Sequence, residues 1–416
     1  MASIRKLPSG HYRVRWRDAA GNEQGATAPT KKAALAVKAQ AELDAFQGVH
    51  RDHKAGRQAF GPYLEEVLDN ATDLRPATLE RYRIHAVRYV IPALGGTAIA
   101  SIGPGELRRF YGKLSKSVGT ATVEAVHRLV SRTLSQAVAD RIIQTNPARY
   151  AKAPRATRKP PVTLEPREAI WLATVLENRE LFNPKRYYGP GADKGWTKAY
   201  KDAQAQVDGW QNQERARYDA LATDTQCLEF YMEHASSNGG NLGIMVLIGM
   251  FAGLRFGEAA ALRVSNIQLG DEPKITVNEA ATEVRGVVTI GPPKTPGSRR
   301  SIQIPTTLGK ILGKAYIGAA SGSLLFTTST GKPLSRTRFA ARIWNPAVKV
   351  ARIEHHPTFH DLRHSYAAWQ IAQNAGTKEL QELMGHTSIR TTMDVYGHLM
   401  KSVESQQRAR MDAALG

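Results

Sequence analysis

The chain has 416 residues, 42% of them hydrophobic, which is enough to build packed cores and too many for a disordered chain. At roughly 150 residues per domain, that length implies about three domains. Lys and Arg number 57 against 37 Asp and Glu, a net charge of +20. An excess of that size points to a polyanionic partner, since each phosphate neutralised by a basic side chain releases condensed counterions. The single cysteine, Cys227, excludes an internal disulfide framework and a cysteine-built zinc site. The apolar run over 242–254 is interrupted by Gly243, Gly249 and Gly253 and falls short of the ~20 residues that cross a bilayer, so no membrane role is expected. The opening stretch MASIRKLPSGHYRVRWR holds no apolar signal core, and the expected location is cytoplasmic.

In chain order, the first signal is an alternation. Tyr12, Val14 and Trp16 interleave with Arg13, Arg15 and Arg17, the period of a strand with one arginine-rich face. Ala20-Gly21-Asn22 supplies a turn, and Thr30 is placed to cap a helix over 31–46 with Ala34, Val37 and Ala41 on its apolar stripe. Residues 1–57 therefore predict a small sheet with one helix, net charge +6, whose Arg13, Arg15 and Arg17 suit a DNA groove. The basic, polar stretch 50–57 closes it as a linker.

From Phe60 to Asn146 the period turns helical, with apolar residues three and four apart in Phe60-Leu64-Val67-Leu68, Leu107-Phe110-Leu114 and Val126-Leu129-Val130-Leu134. Breaks are expected at Pro76, Pro92, Gly103-Pro104-Gly105 and Asn146-Pro147. Residues 75–159 carry 16 Lys and Arg against 4 Asp and Glu, so a helical unit over 58–152 is expected to clamp DNA, with Arg81, Arg128 and Arg132 as candidate contacts. A proline-rich basic linker over 153–162 follows. The remainder, 163–416, predicts a mixed, mainly helical domain with a small antiparallel sheet. Helices are expected near 164–177, 242–263, 335–350, 360–373, 377–384 and 391–411, and strands at Lys274–Val277, Val287–Ile290 and Ser301–Ile304. The fold class is thus α+β and multidomain. Within it, residues 176–235 carry net charge −2, which argues against a DNA contact and for a surface excursion or protein-contact element.

Three C-terminal segments carry chemistry. In Gly253-Leu-Arg255-Phe-Gly-Glu258, at a helix start, Arg255 and Glu258 share a face, which also fits a local ion pair. In His360-Asp-Leu-Arg363-His364, a proton-transfer group stands beside a bidentate phosphate ligand. His360 and His364 also have metal-helix spacing, but Asp361 replaces the expected Glu and Arg363 would repel a dication. In Leu383-Met-Gly385-His386 to Asp394-Val-Tyr396, Gly385 ends one helix and Thr387 or Ser388 caps the next, which carries Tyr396. Cations for the non-bridging oxygens, a proton donor and a tyrosine nucleophile are the parts a phosphodiester transfer needs.

An Arg, then His-x-x-Arg, then Leu-x-Gly-His, then a Tyr ten residues later resembles the tyrosine site-specific recombinase family, to which phage integrases belong. The family's hairpin lysine is matched by Lys294 in Pro293-Lys294-Thr-Pro-Gly-Ser, between two strand-like runs. The resemblance implies that Arg255, Lys294, His360, Arg363, His386 and Tyr396 form the active site. Tyr396 would form a 3′-phosphotyrosine, Lys294 would protonate the leaving 5′-oxygen, and His360 would serve as the tyrosine's base. No cofactor, metal or ATP is implied. The implied activity is integration of phage or mobile-element DNA through Holliday-junction strand exchange, with a type IB topoisomerase-like activity as the alternative. Its partners would be double-stranded attachment sites of core and arm type, three further copies of the chain in a tetramer, an excisionase and a host DNA-bending protein. An amphipathic tail after Tyr396, with Leu399, Val403, Met411 and Leu415, would dock on a neighbouring subunit or fold back in cis.

Overall fold

A computed structural model of the chain describes residues 2–17, 21, 23–46, 55–154, 161–178, 198–235, 241–293, 295–397 and 399–400. The chain divides into two compact units, Met1–Arg158 and Lys159–Gly416. Most of the 153–162 linker, Lys294 and the tail beyond 400 lie outside the described residues.

The first unit begins with strands β1 (Ser3–Lys6), β2 (Tyr12–Arg17) and β3 (Glu23–Ala28), antiparallel in that order, and helix α1 (Lys31–Phe46). Alternation sends Val14 and Trp16 inward with Ala34 and Ala41 of α1, and leaves Arg13, Arg15 and Arg17 exposed. The register sets Arg13 opposite Arg5, which lengthens the arginine face, while Arg15 lies opposite Gly25. Thr30 caps α1 as expected, its Oγ accepting the Ala33 N–H at 3.2 Å.

Helices α2 (Phe60–Asp69), α3 (Pro76–His85), α4 (Ile91–Leu94), α5 (Pro104–Leu114) and α6 (Thr120–Ala139) follow. They enclose a separate apolar cluster around Leu64, Val90, Leu107, Leu129 and Leu134. Two of the prolines read as breaks are helix starts: Pro76 and Pro104 occupy first turns, where a missing N–H costs no intrahelical bond, while Pro92 lies inside helical backbone that runs on from α3 through a wider turn over Ala86–Val90 into α4. Of the candidate contacts, Arg81 is exposed, Arg128 lies 3.7 Å from Glu124, and Arg132 is held by Asp73 at 2.6 Å.

The second unit opens with α7 (Pro166–Glu177), α8 (Lys198–Asp219) and α9 (Asp224–His234). The last two fall in the stretch expected to be a surface excursion, and here the structure differs. Tyr218, Cys227, Leu228, Phe230 and Tyr231 are buried in the same core as α7, and Trp210 stacks on Trp171 at 5.9 Å. The Tyr231 hydroxyl donates to Glu177 at 2.9 Å, and that carboxylate also accepts the Gly243 N–H at 2.9 Å. Charge reflected only the outer face of these helices, so their apolar inner face was missed.

The all-apolar α10 (Leu242–Ala252) runs through the core and stops at Gly253 rather than continuing to 263. Gly253 has φ +61°, and a Cβ there would fall 2.3 Å from the Tyr366 ring. A short helix α11 (Phe256–Ala259) restarts the chain. Strands β4 (Ile267–Gln268), β5 (Lys274–Val277) and β8 (Arg300–Gln303) make one antiparallel sheet, while β6 (Ala280–Val284) and β7 (Val287–Gly291) make a hairpin. The strands flanking Lys294, β7 and β8, therefore belong to different sheets. Helices α12 (Thr306–Ala315), α13 (Arg336–Phe339), α14 (Asn345–Val350), α15 (Phe359–Ala372) and α16 (Thr377–Met384) complete the unit with a helix over 389–397. Neither β6 nor α12 was expected.

Candidate active site

Four of the six expected residues are drawn together by two helix ends. Arg363 on α15 is buried, and its guanidinium donates to Gly253 O at 2.6 Å and to Met384 O. Those carbonyls belong to the C-terminal ends of α10 and α16, each closed by a left-handed glycine, Gly253 and Gly385. A helix C-terminus presents unpaired carbonyls and partial negative charge, and a guanidinium satisfies both. Burial, then Arg255 and Arg300, lower the Arg363 pKa to about 9, which leaves it charged at neutral pH.

Arg255 precedes α11. Glu258 accepts its backbone N–H at 3.0 Å and its guanidinium at 2.8 Å, so the ion-pair reading of this motif holds alongside the functional one. The same carboxylate pairs with Arg300 of β8 at 3.0 Å, with both side chains buried. Arg300 also donates to Leu383 O at 2.8 Å and Ser298 O at 3.0 Å. It thereby ties the strand after Lys294 to Glu258 and to the turn that carries His386. Burial alone would raise the Glu258 pKa; Arg300, then Arg255, overcome it and hold the carboxyl at about 2. Neither Glu258 nor Arg300 was singled out in the sequence as a site residue. Glu258 was legible as an ion-pair partner, while Arg300 is one arginine in a basic run.

His386 follows Gly385. Its backbone N–H donates to Gln381 O, and its Nδ1 lies 2.9 Å from the Thr392 hydroxyl, which is fully buried. Thr392 stands one helical turn before Tyr396. Burial, then Arg363 and Arg255, push the His386 pKa down to about 4. Tyr396 itself is buried, and its hydroxyl lies 2.6 Å from Nδ1 of His364. Burial raises its pKa to about 12, against the pull of Arg363 and Arg255.

His360, the expected base, is not the residue on that hydroxyl. Its ring lies edge-on to His364 with centres 4.9 Å apart. Its pKa is lowered to about 4 by partial burial, then by His364 and Arg363. The helix period explains the exchange, since residue 364 is one position further around α15 than 363 and turns toward the helix over 389–397. Asp361 is occupied as a capping group, accepting the Thr358 N–H and hydroxyl at 2.7 Å each. At neutral pH the site's charge is therefore carried by Arg255, Arg300 and Arg363 against Glu258, a net positive locus suited to one phosphodiester. Lys294 lies outside the described residues.

Residues 224–402 match the model of the phage integrase family. The integrase of Mycobacterium phage D29 is 24% identical over 327 residues, covering 77% of this chain and 70% of that protein. The tyrosine recombinase XerC of Alcanivorax borkumensis is 30% identical over 148 residues, 35% of this chain and 44% of that protein. Among solved structures, the Tn1549 transposon integrase in complex with transposon right end DNA shares the fold, with TM-score 0.58 and 18% identity over 84% of this chain and 99% of that one. So does a lambda integrase tetramer bound to a Holliday junction, with TM-score 0.51 and 17% identity over 92% and 95%. Among the described residues, no helix is long and apolar enough to cross a membrane. The topoisomerase alternative is not favoured by this company: residues 224–402 carry a phage integrase family domain, and the relatives identify the chain's activity as site-specific DNA recombination of the tyrosine recombinase kind.

Proposed function

We propose that Tyr396 is the nucleophile of this recombinase, attacking the scissile phosphate of an attachment site to give a 3′-phosphotyrosine and a free 5′-hydroxyl. Arg255, Arg363 and His386 hold the non-bridging oxygens and the charge that grows on them. Lys294 protonates the leaving 5′-oxygen. His360 serves on the phosphate side, because the tyrosine hydroxyl is engaged elsewhere. The covalent link conserves the bond energy, so a 5′-hydroxyl from a partner duplex can attack it to exchange strands without ATP.

The observation that carries this reading is the convergence of Arg255, Arg363, His386 and Tyr396, from segments 140 residues apart, around the ends of α10 and α16. Five N–H donors belong to a guanidinium, and two of those of Arg363 are spent on carbonyls, which leaves three for a phosphate.

In the same reading, residues 1–57 bind arm sites through the face of Arg5, Arg13, Arg15 and Arg17, and residues 58–152 bind core sites. Four protomers assemble on two sites, as in the lambda integrase tetramer on a Holliday junction. An excisionase and a host DNA-bending protein set the direction, and the enzyme works in the cytoplasm.

The test is Tyr396→Phe with duplex DNA carrying the junction at the ends of the genetic element that encodes this chain. The variant is expected to bind that DNA in a mobility shift and to form no covalent adduct resistant to denaturation. An adduct that persists refutes the assignment.

A further inference from the structure

We infer that His364 takes the proton of Tyr396 as the phosphate is attacked, and returns it when the strand is resealed. The inference rests on the assignment of Tyr396 above. It begins from contact: His364 Nδ1 and the Tyr396 hydroxyl are 2.6 Å apart, with ring centres at 5.7 Å. That is hydrogen-bond distance to the reacting atom itself, the first requirement of a general base.

The surroundings favour an imidazole that is free to accept. His360 packs edge-on, Arg363 adjoins on the same helix, His386 lies in the same field, and Asp361 stands one turn earlier. Burial and Arg363 lower the His364 pKa, and Asp361 opposes them without prevailing. The ring is then neutral at neutral pH, and with Nδ1 unprotonated the phenol donates to it. The phenol in turn needs an acceptor, because burial holds its pKa at about 12 and almost none of it ionises unaided.

The step balances. The Tyr396 O–H bond breaks and its proton passes to Nδ1 of His364, while the phenolate oxygen bonds to phosphorus. The bond from phosphorus to the 5′-oxygen breaks, and that oxygen takes its proton from Lys294. On resealing, the attacking 5′-hydroxyl gives its proton to the neutral lysine, and the imidazolium reprotonates the departing phenolate. No proton is consumed over the cycle.

The test uses the full chain and nicked duplexes of the element's end junction, made with an ordinary phosphodiester or with sulfur in place of the bridging 5′-oxygen. His364→Gln keeps a hydrogen-bond acceptor for the phenol and loses only the basic nitrogen. It is expected to bind DNA as the parent does and to cleave about 10²-fold more slowly in a single turnover, the usual scale of general-base catalysis. Sulfur, which leaves without a proton, is expected to rescue Lys294→Ala but not His364→Gln. The parent's rate is expected to rise with pH and level off below the ordinary imidazole range; the variant lacks that plateau.

Parental cleavage by His364→Gln overturns the proposal. Faster cleavage also overturns it, by identifying the contact as a restraint on Tyr396, and so does rescue by sulfur. Should the variant fail to fold, the nitrogen chemical shifts of His364 in the parent decide the matter, since a protonated Nδ1 at neutral pH excludes the role. Failure here leaves the nucleophile assignment standing, which only the Tyr396→Phe adduct assay can remove.

Discussion

Replacing Glu258 by Gln isolates the element that aligns the arginines. The carboxylate lies 3.0 Å from Arg300, with side-chain exposures of 4% and 6%, so solvent screens the pair little. Its pKa falls from an ordinary 4.5 to about 2 on folding, against the penalty of burial and because of Arg300 and Arg255. A depressed folded pKa means the ionised group stabilises the fold fully above pH 4.5 and progressively less as pH falls toward 2. The difference corresponds to about 3 kcal/mol. Removing one partner of a buried pair, which strands the Arg300 charge, independently predicts about 3–5 kcal/mol.

Urea unfolding followed by tryptophan fluorescence reads the catalytic unit, because every tryptophan except Trp16 lies within it. Glu258→Gln is expected to lower stability by about 3 kcal/mol at pH 7, and the gap is expected to shrink by about 2 kcal/mol at pH 3. A difference below about 0.5 kcal/mol, the scale of an exposed pair, refutes the reasoning. So does a gap that does not change with pH, which would locate the loss in packing rather than charge.

Two further outcomes follow from the same geometry. Gly253→Ala places a Cβ at φ +61° and 2.3 Å from Tyr366 while disturbing the carbonyl that holds Arg363; a loss of at least about 2 kcal/mol is expected in the same unfolding assay, and a neutral effect would contradict the tight approach of α10 and α15. Thr392→Val removes the hydroxyl on His386 Nδ1 at nearly constant volume, so single-turnover cleavage is expected to fall about 10-fold with DNA binding intact, as for loss of a positioning partner. Thr392→Ser is expected to restore most of that rate, and equal rates in Val, Ser and the parent would exclude the contact from catalysis.

Much of the fold was readable locally. The arginine strand and the Thr30 cap depend on neighbours within a few residues, where side-chain alternation and backbone stereochemistry act. The same holds for the grouping of Arg255, Arg363, His386 and Tyr396, whose motifs are short and ordered. What was misjudged depended on distant partners. Residues 176–235 read as a surface element because their charges are visible in sequence, while the shape that seats Tyr218 and Tyr231 against α7 is not. The apolar run of α10 hid its own end at Gly253, since only the Tyr366 ring behind it shows why the chain must turn there.

The sequence by itself determined which chemistry is present: a tyrosine, phosphate-binding arginines and imidazoles in the order of one enzyme family, within a chain charged for DNA. Only the tertiary structure decided which imidazole meets the tyrosine. His360 and His364 lie on one helix with nearly interchangeable spacing, and the placement of the helix over 389–397 puts the Tyr396 hydroxyl 2.6 Å from His364. It also made Arg300 part of the site, because a charge from β8 is stable in that interior only where Glu258 and the carbonyls of Leu383 and Ser298 meet it.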